Sequence, residues 1–394
     1  MWNYEKDYRE RITNYLEDLV KKDGYHLEKY SVITRDGYIN VMYRIPYGKY
    51  EEQNSSSRPS VLLNHGLICS CAIFIDQCAL AYYLADNGFD VWLPNNRGTT
   101  FSTKHVDYDA DEEKDRYWDF SFHEIAIYDL TAFIDFILEQ NGEKQICHIG
   151  FSQGVTTFAI MTSEIPEYNE KISLSIFLGT PLVFDNVSSF PVKFNGYLLK
   201  VVIMIMEMLS RKKFNEMPLV KEVRFSLSYG KNIICRKLIE YFMSYVVGYG
   251  DPNQISDLDF TRFGLTTPNS SSKRQFEHFS QLLINSRFAK YDFGAEENMK
   301  QYGSKLPPEY DLSKVTAPIA IFYGKNDMYN DYKKDKLETL LLNVVHMQVV
   351  DYEFYNHIDF IYAKDNIDLL YKYVLKQMKK YCLYNGNESE IIND

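Results

Sequence analysis

The sequence predicts an α/β protein: a mostly parallel, doubly wound sheet with a largely helical cap inserted after the sixth strand. Three observations carry that expectation. Short β-rich apolar runs alternate with helical ones from Ser60 to Leu178, and again from Pro318 to Tyr381. Between them, residues 183–312 carry helical patterns and polar loops without a buried strand. At the centre of the first stretch, Gly150-Phe151-Ser152-Gln153-Gly154 lies between an apolar run ending at Ile149 and a helical one, a strand-turn-helix setting. Alternation at these lengths needs crossover connections between parallel strands, and the crossing helices cover both faces of the sheet. The predicted division is a first core part over 1–182, a cap over 183–312 and a second core part over 313–394.

In chain order, residues 10–23 form an amphipathic helix with Ile12, Tyr15, Leu16, Leu19 and Val20 on one face. Glu28 to Thr34 and Tyr38 to Ile45 alternate with period two around Arg35-Asp36-Gly37, a hairpin signal. Glu51 to Pro59 is a Ser-rich, charged surface loop. Then come a strand over Ser60–Asn64, a helix over Ala79–Asn87 closed by Gly88, a strand over Phe89–Pro94 and a long helix over Phe122–Gln140 ended by Gly142. A strand over Gln145–Ile149, a helix from Gly154 to about Ser163 and a strand over Leu174–Leu178 complete the first part. The second part reads as strand Pro318–Tyr323, helix Asp331–Leu342, strand Val344–Asp351 and helix Asp359–Tyr381. Within the cap, Pro268-Asn269-Ser270-Ser271-Ser272 is a polar loop. Ile234, Leu238, Phe242 and Tyr245 recur every three to four residues with Arg236, Lys237 and Glu240 between them, an amphipathic helix. The segment of about 211–248 around it is either a lid folding over Ser152 or a cap helix packed permanently on the core.

Composition narrows the function. The chain has 394 residues, 45% hydrophobic and 15% aromatic, enough for a sizeable core and unlike a disordered chain. Lys+Arg 43 against Asp+Glu 54 gives a formal charge of -11, which repels a phosphate backbone, so nucleic acid is not an expected partner. The longest apolar runs, Cys78–Ala85 and Val201–Met206, are too short to cross a bilayer, so no transmembrane segment is expected. The 6 Cys do not make a disulfide scaffold; Cys69, Cys71 and Cys78 lack the paired spacing of a zinc site and read as core or loop residues. N-x-S sequons begin at Asn54, Asn186, Asn269 and Asn387.

The pentapeptide around Ser152 has the form of a nucleophile elbow. Its turn is so tight that side chains two positions either side of the serine would meet neighbouring backbone, hence Gly150 and Gly154. The hydroxyl would project at the carboxyl end of the sheet, with the next helix directing its positive end at a developing oxyanion. A serine needs a base to take its proton and a carboxylate to orient that base. In this topology they follow in the order acid, then His, each after a late strand. Asp327 follows the Pro318–Tyr323 strand and His357 follows the next; 357 minus 327 leaves 30 positions, room for one helix and one strand. Asp331 and Asp351 compete for the acid, and His346 for the base. At the end of the first parallel strand, His65-Gly66-Leu67 offers the second half of an oxyanion hole: Gly66 permits close approach, and the N–H groups of Leu67 and Gln153 are the candidate donors. His65 reads as a buttress of the turn. The chemistry requires no cofactor and no metal.

These residues carry a family resemblance. Asp36-Gly37-Tyr38, Arg44-Ile45-Pro46, Asn64-His65-Gly66-Leu67, Asn95-Asn96-Arg97-Gly98, Trp118-Asp119-Phe120-Ser121-Phe122, Tyr128-Asp129-Leu130, the Ser152 elbow, Asn326-Asp327 and Asn356-His357-Ile358-Asp359-Phe360 stand in this order. Over about residues 22–375 the chain resembles the acid lipases, the group containing gastric and lysosomal acid lipase. The resemblance implies an α/β-hydrolase fold with a helical cap, and hydrolysis of neutral lipid esters such as triacylglycerols or sterol esters, with transient contact at a lipid surface. It implies Ser152, Asp327 and His357 as the triad, with Leu67 and Gln153 as oxyanion donors. Secreted or lysosomal residence is implied too, whereas Met1-Trp2-Asn3-Tyr4-Glu5-Lys6 lacks the apolar stretch of a secretory signal. Two departures stand out: Phe151 where the family usually has His, and Cys235 alone where its cap usually carries a disulfide. Alternatives on the same fold are an acyltransferase or short-chain esterase using this triad, and a non-catalytic lipid-binding protein, which would generally lack a triad member.

Overall fold

The computed structural model describes the chain apart from residues 1–3, 52–57, 77–78, 184–189, 210, 215–216, 219, 222–236, 238–240, 242–247, 249, 256–261, 263 and 384–394. Its strands are β1 (Glu28–Ile33), β2 (Tyr38–Ile45), β3 (Ser60–Asn64), β4 (Asp90–Pro94), β5 (Lys104–His105), β6 (Ile146–Phe151), β7 (Ile172–Leu178), β8 (Ile319–Tyr323) and β9 (Val344–Val349). They make one sheet in the order β1-β2-β4-β3-β6-β7-β8-β9, with β5 beside β2. β1, β2 and β4 pair antiparallel. From β4 to β9 along that order every pair is parallel. Successive residues feed opposite faces: Val61 and Leu63 join one apolar cluster with Leu16, Ile149 and Phe322, while Leu62 joins the other with Phe122, Val155 and Ile321. The cap follows β7 rather than a sixth strand, because β5 pairs only through Tyr38 and Ile39 and is too short to leave a periodic signal.

The helices α1 (Tyr4–Asp23), α2 (Leu80–Asp86), α3 (Phe122–Glu124, Ile125–Leu130 and Thr131–Asn141 in unbroken succession) and α4 (Gln153–Glu164) serve the first part. The start of α3 is set by a capping box: Ser121 N–H donates to the Glu124 carboxylate at 2.7 Å and His123 N–H to Ser121 Oγ at 3.1 Å. Between β7 and β8 lie α5 (Phe190–Met208), α6 (Lys273–Asn285) and α7 (Ala295–Tyr302). α5 meets α6 at Gly196, where a Cβ would stand 2.9 Å from Ile284 Cγ1. The amphipathic residues Ile234, Leu238, Phe242 and Tyr245 lie outside the described residues.

Three local expectations are refined or corrected. First, the polar loop Pro268–Ser272 is a loop as read, and with Thr266 and Thr267 it forms a buried strap: Thr266, Asn269, Ser270, Ser271 and Ser272 are all buried. Thr266 Oγ1 donates to Asp76 Oδ2 at 3.1 Å, Ser272 Oγ donates to Phe120 O at 2.6 Å, and Ser272 Oγ accepts from Gln275 N–H to cap α6. The sequon at Asn269 is therefore inside the fold, and the other three lie outside the described residues. Second, of Asp331–Leu342 only Leu337–Leu340 is helical. A single turn forms from Asp331, with Lys334 N–H and Asp335 N–H donating to Asp331 O at 2.9 Å and 2.8 Å, and Lys336, left-handed at φ +43°, ends it before Leu337. Third, the Asp359–Tyr381 helix is broken: it stops at Tyr362 and resumes at Ile367. In the gap, Lys364 N–H donates to Gln254 O at 2.9 Å, a bond to the far side of the insertion.

Cys147 on β6 pairs with Cys382 in a disulfide, their Cα atoms 6.5 Å apart. Cys71 is buried and Cys69 half-buried, as core and loop residues should be.

Candidate active site

Ser152 occupies the turn from β6 into α4 with φ +54° and ψ -116°. A non-glycine residue there is strained, and such strain persists only where the surroundings enforce it. The flanking glycines are part of that enforcement. A Cβ on Gly150 would lie 2.8 Å from the Gly154 carbonyl carbon, and one on Gly154 only 2.2 Å from Asn64 O. Both collisions are with backbone, which has nowhere to go.

Ser152 Oγ lies 2.9 Å from His357 Nε2. On the other side of the ring, Nδ1 lies 3.1 Å and 3.0 Å from the two carboxylate oxygens of Asp327. The structure thus brings together three residues from the loops after β6, β8 and β9. Asp327 also accepts from Tyr329 N–H at 2.9 Å. The Asn330 amide, turned to satisfy both neighbours, donates to Asp327 Oδ2 at 2.6 Å and accepts from Thr180 N–H at 3.3 Å. The rival residues sit elsewhere: Asp331 pairs with Lys334, Asp351 points into solvent beside Lys325, and His346 stands on β9 next to Gln348.

Gly66 packs against Ser152 so closely that a Cβ would lie 3.2 Å from Ser152 Cβ. Among the described residues, neither Leu67 N–H nor Gln153 N–H donates to a protein acceptor. α4 begins at Gln153, which places its positive end at Ser152. His65 is buried behind this loop, with Nδ1 2.9 Å from Gly66 O and Nε2 accepting from Asn96 N–H at 3.2 Å. An accepting Nε2 requires the neutral ring with its proton on Nδ1, and burial pushes the imidazole pKa down to about 4. The next residue, Arg97, is fully buried. Its guanidinium donates to Asp129 at 2.7 Å and to Asp36 at 2.6 Å and 2.8 Å, its own N–H donates to Asp129 at 2.8 Å, and it covers the Tyr38 ring at 3.8 Å.

Several participants escape a sequence reading. Gly179, just after β7, has φ +61°, and a Cβ there would lie 2.8 Å from His357 Cε1, so its lack of a side chain admits the imidazole. Rings of Phe151 and Tyr329 flank His357, with centroids at 5.2 Å and 4.8 Å. Asn356 and Asp359 form a reciprocal cap around His357: Asn356 N–H donates to Asp359 Oδ2 at 2.8 Å, and Asp359 N–H donates to Asn356 Oδ1 at 3.1 Å. The Asn356 amide also donates to Gly248 O at 2.9 Å, reaching across to the insertion. Burial pushes the Asp359 carboxyl up to about 7 despite the Asn356 N–H bond. Of these, only the Asn-x-x-Asp spacing is a legible helix-start signal. Among the described residues, no group of three or more His, Cys, Asp or Glu side chains is arranged to hold a metal.

Residues 59–361 match the family described as alpha/beta hydrolase fold, and residues 16–77 the partial alpha/beta-hydrolase lipase region. Gastric triacylglycerol lipase of Rattus norvegicus is 34% identical over 367 residues, covering 90% of this chain and 89% of its own length. The chain belongs to the acid lipase family. Other relatives are Lipase 3 of Drosophila melanogaster, 33% identical with 92% of each chain covered, and Lipase member K of Homo sapiens, 30% identical over 93% of this chain and 91% of its own. Among solved structures, a bacterial membrane phospholipase A shares the fold at a TM-score of 0.52 and 14% identity, covering 95% of this chain and 92% of its own. In this acid lipase the Phe151 ring packs on both His357 and Gly66.

Proposed function

We propose that the chain hydrolyses carboxylic ester bonds of neutral lipids, triacylglycerols or sterol esters, through an acyl-enzyme on Ser152. The observation that carries this reading is the continuous hydrogen-bonded path from Asp327 through His357 to Ser152 Oγ at the rim where α4 begins. Ser152 Oγ attacks the ester carbonyl carbon while His357 Nε2 takes its proton. The oxyanion that forms accepts from Leu67 and Gln153 N–H, donors held in place before reaction. His357 then passes the proton to the departing alkoxide, leaving the acyl group on Oγ. Water enters, gives its proton to His357, and the same steps in reverse release the acid and restore Ser152. Asp327 keeps the imidazole in the Nδ1–H tautomer and stabilises its charged form.

Transient contact with a lipid surface belongs to the proposal and is supported by α5, whose Phe194, Tyr197, Val201, Met204 and Met208 are exposed at spacings of three and four along one face. No helix among the described residues is long and apolar enough to cross a membrane.

Ser152→Ala should abolish both ester turnover and labelling by an organophosphonate; hydrolysis surviving in pure Ser152→Ala protein would falsify the assignment. Asp327→Asn should lower kcat by about four orders of magnitude, since the wrong tautomer is then held. A panel of triolein, cholesteryl oleate, phospholipid and a p-nitrophenyl ester separates lipid hydrolysis from short-chain esterase action. Free acid as the sole product in the presence of an acceptor alcohol separates hydrolysis from acyl transfer.

A further inference from the structure

Gly66 to Cys69 closes a turn in which Cys69 N–H donates to Gly66 O at 3.3 Å. Its third residue is Ile68, with φ +54°. Turns with a positive φ at that position ordinarily take Gly or Asn, because a Cβ, and above all a branched one, is crowded there. The strained residue directly follows Leu67 and closes the Gly66–Cys69 turn, so its conformation holds the shape of the loop that carries the Leu67 N–H. Something has to hold it, and the buried strap supplies the contact. Asn269 N–H donates to Ile68 O at 2.6 Å. Asn269 itself is wholly buried and fastened three ways: its Oδ1 accepts from Thr100 N–H at 2.8 Å and from Ser270 N–H at 2.8 Å, and its Nδ2 donates to Thr266 O at 3.3 Å. Thr100 lies in the loop after β4 that also carries Asn96, the donor to His65 Nε2. The turn is therefore gripped from behind by His65 and from the insertion by Asn269.

We propose that Asn269 is a positioning residue of the oxyanion hole: it latches Ile68 in its left-handed conformation and so keeps the Leu67 amide in place for the substrate oxyanion. This rests on the ester-hydrolase reading above. It goes beyond it by making one residue of the insertion part of the rate of the chemical step. Asn269 touches no substrate, so its effect falls on kcat rather than on KM.

The test is a double-mutant cycle on p-nitrophenyl butyrate, with kcat expressed per burst-titrated active site. Asn269→Ala removes the acceptor for Thr100 N–H and frees the strap; kcat should fall about tenfold, the worth of one well-placed hydrogen bond, with KM changed by less than about twofold. Glycine adopts positive φ without strain, so in an Ile68→Gly background the same Asn269→Ala change should cost about threefold or less. An equal loss in both backgrounds, or no loss of kcat in the first, overturns the proposal. Should Asn269→Ala fold only in the Ile68→Gly background, that rescue supports the latch; failure to fold in either background marks the strap as general structure and overturns it. Ser152→Ala runs alongside: activity persisting there defeats the hydrolase reading itself, whereas a dead Ser152→Ala protein with an indifferent Asn269→Ala one defeats the latch alone.

Discussion

The strap at 266–272 and helix α5 belong to the same insertion, yet they sort their side chains in opposite senses. The strap buries hydroxyls and an amide, while α5 turns Phe194, Val201 and Met204 outward, Met204 with 53% of its surface exposed. Burial in this insertion follows the availability of partners rather than polarity. Thr266, Asn269 and Ser272 find backbone and side-chain partners in the core, at Ile68, Asp76, Thr100 and Phe120, which offset much of the cost of removing them from water. Tyr197, Val201, Met204 and Met208 on α5 instead leave much of their surface exposed.

The comparison is tested most severely at Ser272. Ser272→Ala leaves Phe120 O without its donor and Gln275 N–H without its acceptor, so unfolding in urea should become easier by about 2 kcal/mol. A change under half of that would mean water already satisfies these groups and the strap is not truly buried. A second test falls on Asp359, a buried polar group that, unlike the strap's hydroxyls, titrates. Its carboxyl is raised to about 7 in the fold by burial, from about 4 in an unfolded chain. The folded state then binds more protons than the unfolded one between those values, and stability falls as pH rises through that window. Asp335 is raised the same way by burial, also to about 7, so Asp359→Asn should flatten the fall in Tm between about pH 4 and 7 without abolishing it. An unchanged slope would show that Asp359 is solvated. The smallest stability effect belongs to α5: Val201→Ser with Met204→Ser should shift unfolding by less than about 0.5 kcal/mol. Its consequence should be confined to emulsified substrate, where activity drops several-fold while p-nitrophenyl butyrate is turned over as before. A loss of 2 kcal/mol or so would place that face against protein in solution and end the contrast.

The strands and the elbow were legible because they answer to local rules. β3, β6 and β8 are short apolar runs, and Gly150 is dictated by the backbone of Gly154 and Val155 just after it, while Gly154 answers to Asn64 on the neighbouring strand. The meeting of Asp327 and His357 with Ser152 was legible because parallel sheets deliver loops to one rim in a known order. What stayed hidden depends on partners distant in sequence. Gly179 looks like any turn glycine until His357, far along the chain, comes to rest on it. Pro268-Asn269-Ser270-Ser271-Ser272 reads as a polar loop, and nothing local tells that Ile68, Thr100 and Phe120 partner it inside the fold. The helix expected over Asp331–Leu342 is interrupted at Lys336, whose left-handed backbone periodicity does not foresee.

Arg97 joins pieces of chain that a protein engineer would treat as separate modules: the hairpin turn at Asp36, the loop after β4 and helix α3 at Asp129. Grafting that loop from a relative into this scaffold without carrying its two acidic partners would strand a buried cation, and transplanting the hairpin alone would leave it half neutralised. Chimaeras of this lipase should therefore be cut outside the three segments together.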